Sequence, residues 1–169
     1  MANTFELIAS KSVPTDGTSS ISFTSIASTW TDLVLKGSCR DTSNGIRNLE
    51  VWFNSNTSSY SGKVLYGTGS ATGSASISTV NIGINEPNDY TANTFTNFEI
   101  YVPNYAGSNN KSFSGDFVNE NNATAAYATL NAALWSNTAA ITSISIRPEA
   151  GTGSFATYST FYLYGVKNA

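Results

Sequence analysis

The stretch Asn97-Phe-Glu-Ile-Tyr-Val-Pro-Asn-Tyr105, Ala106-Gly-Ser-Asn-Asn110, Lys111-Ser-Phe-Ser-Gly-Asp-Phe-Val118 decides the fold class. Its first arm alternates, with Phe98, Ile100 and Val102 in one phase and Glu99 and Tyr101 in the other. A period of two marks a half-buried strand. The second arm alternates again, Lys111, Phe113 and Gly115 against Ser112 and Ser114. Between the arms, Gly107, Ser108, Asn109 and Asn110 tolerate positive φ or bond their own backbone. Pro103 ends the first arm because proline donates nothing to a ladder. The stretch predicts a β-hairpin.

The same pattern runs through most of the chain. Alternation predicts strands over 4–9, 19–26, 46–54, 63–68, 77–84, 139–147 and 155–166. Leu33, Val34 and Leu35 form a continuous apolar run within 30–40, as in a central strand covered on both sides. Asn44-Gly45 is the strongest hairpin pair available and predicts that 30–40 and 46–54 pair with each other. The Ser/Asn/Thr segment 55–62 reads as a loop containing Tyr60. Gly67–Ser76 reads as a surface loop or the tip of a long hairpin, and Asn85–Ala92 as an acidic, proline-containing loop. Ala123–Trp135 is alanine-rich, which favours helix. Leu130 and Leu134 fit a helical stripe, while Tyr127, Thr129, Asn131 and Trp135 do not, so strand is the expectation from context. About eleven short, closely spaced strands predict an all-β domain over 1–169, a jelly-roll-like two-sheet antiparallel sandwich. Its last strand would return to the core.

Three flanking stretches accompany the hairpin: Ile26-Ala-Ser-Thr-Trp-Thr-Asp-Leu-Val-Leu35, Leu49-Glu-Val-Trp-Phe-Asn54 and Phe161-Tyr-Leu-Tyr-Gly-Val166. Together with Asn104-Tyr-Ala-Gly-Ser-Asn-Asn-Lys-Ser-Phe-Ser114, this set resembles small structural proteins of tailed bacteriophages. The resemblance implies a non-enzymatic virion protein on the capsid exterior. It would be a capsid decoration (cement) protein, a homotrimer seated on the major capsid protein and assembled in the host cytoplasm. A tail knob or fibre module that binds a receptor or surface glycan is the alternative.

Composition narrows the chemistry. The 169-residue chain carries a net charge of −3 and only 11% charged residues. Ser, Thr and Asn make up more than a third of it and supply its polarity. No basic patch points to nucleic acid or to an anionic membrane surface. The nearly apolar run 123–135 is too short to span a bilayer, and the first residues lack the pattern of a signal peptide. On that reading, the Asn-x-Ser/Thr sequences at Asn56, Asn110 and Asn122 carry no message.

There is no histidine and one cysteine. Ser-His-Asp and Cys-His catalysis are therefore out of reach, as is structural zinc. Cys39 reads as a small buried thiol. Glu50 and Glu99 could face each other as an acid/base pair; the plainer reading makes them solvent-face residues or partners of Arg47 and Lys63. Glu86, Asn88 and Asp89 offer alternating oxygen ligands for calcium without the EF-hand pattern, and an acidic turn is the plainer reading. Gly67-Thr-Gly69 and Gly151-Thr-Gly153 do not extend to phosphate-binding motifs. No cofactor is expected. Trp30, Tyr60 and Tyr90, with Trp52 and Trp135, are candidates to stack on sugars. Tyr101 and Tyr105, with Asn109 and Asn110 at the hairpin tip, are candidates for a subunit interface.

Overall fold

The computed structural model of the chain describes residues 4–15, 17–122, 126–149 and 153–167. These contain twelve strands: β1 (Phe5–Ser12), β2 (Ile21–Phe23), β3 (Asp32–Cys39), β4 (Arg47–Phe53), β5 (Tyr60–Gly67), β6 (Thr72–Ile77), β7 (Asn81–Asn85), β8 (Thr96–Val102), β9 (Lys111–Asn119), β10 (Tyr127–Trp135), β11 (Ile144–Pro148) and β12 (Thr160–Val166). They form two antiparallel sheets. One is eight-stranded, in the order β1-β12-β3-β8-β9-β10-β5-β6; the other is four-stranded, in the order β2-β11-β4-β7. The expected two-sheet sandwich forms, with unequal layers. The smaller sheet covers part of one face of the larger.

The decisive hairpin is present as β8–β9, in register from Asn97↔Val118 to Tyr101↔Ser114. Its inward phase is the apolar one: Phe98, Ile100, Val102, Phe113 and Phe117 are all buried. Lys111 shares that phase and is buried too. Its ammonium donates to the carbonyls of Gly107 and Asn109 at 2.7 and 2.5 Å, tying the loop to the strand below it. Burial draws that amine below its ordinary pKa. The segment 123–135 is a strand from Tyr127 onward, its first three residues lying outside the described ones. Gly67–Ser76 is the tip of a hairpin plus its second arm, β5–β6. Of Gly151-Thr-Gly153, the first two residues lie outside the described ones. The last strand returns to the interior between β1 and β3, with Phe161 and Leu163 fully buried.

The core is built on aromatic rings from both layers. Phe53 of β4 meets Phe113 of β9 at 5.1 Å and Trp135 of β10 at 5.7 Å, both edge-on. Gly37 of β3 sits between Phe98 on β8 and Phe161 on β12. A Cβ there would lie 2.4 Å from the Phe98 ring, so only glycine lets both rings fill the layer. Cys39 is buried, as expected; its thiol donates to Asn85 Oδ1 at 3.2 Å, and burial pushes its pKa far up.

Three expectations need correction. First, 30–40 and 46–54 do not pair. Both edges of β3 are taken by β12 and β8, and β4 lies in the other sheet between β11 and β7. A type I′ hairpin turn needs positive φ at both central residues, and of Asn44-Gly45 only Gly45 has it (φ 75°). The segment crosses between sheets, with Asp41 N–H donating to the Glu86 carbonyl and Thr42 N–H to that of Ser154. Second, 77–84 is not one strand: β6 ends at Ile77, and β7 begins at Asn81 in the opposite layer. Third, β5 starts at Tyr60, inside the expected loop.

Candidate functional site

Glu50 and Glu99 are held apart by the sandwich. Leu49, Val51 and Phe53 of β4 point inward, so Glu50 belongs to the outer face of the small sheet. There its carboxylate takes Arg147 Nε at 2.5 Å, and the Arg147 guanidinium lies 4.0 Å from the centre of the Trp52 ring. Glu99 lies on the outer face of the large sheet and pairs with Lys36 at 2.6 Å. The two carboxylates look away from each other, so the acid/base pair does not form. Their cations are Arg147 and Lys36 rather than Arg47 and Lys63.

The acidic loop is organised from within. Arg40 is buried at the end of β3, and its guanidinium donates to the carbonyls of Asn88, Tyr90, Thr91 and Thr94 at 2.8–3.0 Å. A planar cation with several donors suits converging carbonyls. Asp89 accepts from Gly45 N–H at 2.9 Å, and buried Glu86 accepts from Thr94 Oγ1 at 2.8 Å. The two carboxylates offered for calcium therefore serve different partners, and the oxygens of the loop close on an arginine. Tyr90 is half-buried here, its phenol raised in pKa chiefly by burial.

The expected contact residues do not form one surface. Tyr105 is fully buried, its hydroxyl donating to the Ala27 carbonyl, so it packs the core instead of an interface. Tyr60 is also buried; its hydroxyl oxygen accepts from Phe53 N–H at 2.8 Å, which removes it from a sugar platform. Trp30 is half-buried against Gly165, with Nε1 donating to Glu6 at 3.0 Å. Tyr101 keeps the expected exposure, and its hydroxyl donates to Asp32 at 2.7 Å, which with partial burial raises its pKa. Asn109 and Asn110 are exposed at the hairpin tip. Tyr101 and Trp30 lie near the Asp32 end of β3, whereas Tyr90 lies at the Arg40 end.

The surface that sequence reasoning missed is the outer face of the eight-stranded sheet, which no layer covers among the described residues. Strand register places Tyr162, Lys36, Glu99, Asp116, Leu130 and Leu65 in one row across it. Leu65 and Leu130 are 58% and 57% exposed, and nearby Val118 is 45% exposed. At the far edge Phe5 and Leu7 are also exposed, Phe5 packing on Tyr164 at 6.1 Å. Charges on the row alternate only in part. Glu99 is paired with Lys36, but it also stands directly opposite Asp116, a like-charge pair that strands avoid. The signal was in the sequence: β10 carries hydrophobic residues in both phases, Leu130 and Leu134 as well as Ala133 and Trp135.

No family profile matches the chain, and no curated protein sequence matches it.

Proposed function

We propose that this protein is a non-enzymatic structural building block that packs against other protein surfaces through the open face of its eight-stranded sheet. In that reading it is a bacteriophage capsid decoration protein, self-associated and seated on the major capsid protein. The observation that carries it is the exposed Leu65–Leu130–Val118 cluster on the open face of the larger sheet. Apolar clusters of that kind, rimmed by polar residues, mark interaction sites. Around the cluster stand Thr72, Ser74, Ser114 and Asn97, with Lys63 and Asp116 beside the leucines. In a closed ring each copy can set its Lys63 beside the Asp116 of the next, so the face is compatible with its own copies. The sequence resemblance to phage structural proteins supplies the virion setting.

Purified phage heads test this directly. Decoration requires the protein on heads in on the order of hundreds of copies, as repeated closed assemblies do. A copy number of a few dozen or fewer, confined to tails, would replace decoration with the tail-knob reading. Light scattering on the isolated protein reports self-association, and a homotrimer is the order expected.

A further inference from the structure

The β5–β6 wing of the large sheet extends past the small sheet, and β7 is the edge strand that ends the small sheet beside it. Between them lies a cleft of about 480 Å³. Its floor is the inner phase of β10 and β5, where Thr129 stands opposite Tyr66 and Asn131 opposite Val64. Tyr127, two residues from Thr129 in the same phase, brings a second ring to the same floor. Its far wall is β7, with Asn81 and Ile82. On the side away from β4, β7 has no strand partner among the described residues, so its edge presents backbone N–H and C=O groups.

Three features specify the chemistry that fits. Among the described residues no Asp, Glu, Lys or Arg lines the cleft, so its lining favours an uncharged ligand. Its polar groups are amides and hydroxyls, which donate and accept at once and match a polyhydroxylated molecule. Its aromatic groups are tyrosines. The hydroxyl end of the Tyr66 ring lies over Gly73, where a Cβ would come within 2.5 Å of it, so a bare backbone lets the ring lie down on β6. Tyr66 remains 36% exposed. An exposed ring of this kind offers its face to the C–H side of a sugar.

We propose that this cleft binds an uncharged saccharide of about one or two rings, within the range of ~300–1,000 Å³ typical of small-ligand sites. Tyr66 and Tyr127 contact the apolar faces of the sugar. Asn131, Asn81 and the free edge of β7 hydrogen-bond its hydroxyls. The site is separate from the outer face: Tyr66 and Leu65 are consecutive on β5 and point to opposite sides of the sheet.

The test is a titration of 15N-labelled protein with maltose, lactose and chitobiose at millimolar concentrations, with glucose 6-phosphate and sialyllactose as charged controls. Amide shifts confined to residues 64–66, 81–84 and 127–131 are expected with at least one neutral sugar. Tyr66→Ala and Tyr127→Ala should each weaken that binding at least tenfold, while Tyr66→Phe keeps most of it. Leu130→Lys on the outer face should leave it unchanged, which separates this site from the packing surface. Absence of shifts with every neutral sugar, a stronger response to the charged controls, or binding that survives both alanine variants overturns the proposal.

Discussion

Leu65 and Leu130 face each other across β5 and β10, and both side chains stand in solvent on a sheet whose other side is core. Facing leucines normally belong to an interior. Burying each fully would contribute about 1.5–3 kcal/mol, a gain that an isolated copy leaves unrealised. Leu130→Lys should therefore abolish self-association in light scattering. Denaturation of the separated copy should change by only about 0.5 kcal/mol, because the substitution touches no core contact. A variant that stays assembled would remove this face from the packing scheme.

Arg40 is the internal cation of the loop over 86–95. Arg40→Met removes the guanidinium from four loop carbonyls, of which that of Thr91 keeps the Thr94 hydroxyl. Hydrogen bonds to charged groups are worth roughly 1.5–3 kcal/mol each and are not additive, so a loss of about 3 kcal/mol is expected in urea unfolding. Amide exchange should accelerate locally, in 88–94, and leave the β8–β9 hairpin protected.

Gly165 lies beneath the Trp30 indole, where a Cβ would stand 2.2 Å from the ring. Gly165→Ala should displace the indole and cost about 1–3 kcal/mol, the usual penalty of overpacking. Loss of the Glu6 hydrogen bond with it should shift tryptophan emission to the red. Emission at the wild-type wavelength would mean that the ring is not seated on this glycine.

Tyr60, Tyr90 and Tyr105 have phenol pKa values raised chiefly by burial, and Tyr101 by its bond to Asp32. In each the folded state holds its proton longer than the unfolded chain does. Their contribution to stability is complete below pH 10, the ordinary tyrosine value, and is lost as pH rises through the raised values. Lys36, raised by Glu99, acts with the same sign above 10.5. Lys111, lowered by burial, acts with the opposite sign, its penalty relieved toward 10.5. Stability should fall above pH 10, and absorbance at the tyrosinate band should show these four phenols ionising late, together with unfolding. Tyr60→Phe should delete one late phenol while also costing the bond to Phe53 N–H, worth about 1 kcal/mol.

Legibility was uneven for physical reasons. The alternation of Phe98, Ile100 and Val102 named both the strand and its buried face, because side chains alternate regardless of what a strand pairs with. Tyr105 and Tyr60 looked like surface aromatics because tyrosine suits either place; burial with a satisfied hydroxyl depends on partners at Ala27 and Phe53. Arg40 and Lys111 gave no local sign of burial, since the carbonyls that accept their hydrogen bonds converge on them only after folding.

The sequence by itself determined an all-β chain, its principal strands, the inward phase of its hairpin and the absence of histidine chemistry. These follow from local periodicity and composition. Tertiary structure alone decided that β3 and β4 part company into different sheets, that Glu50 and Glu99 turn to opposite sides, and that one face of the larger sheet stays bare. Strand order depends on which edges are still free when distant segments meet, and that is settled by packing across the whole chain.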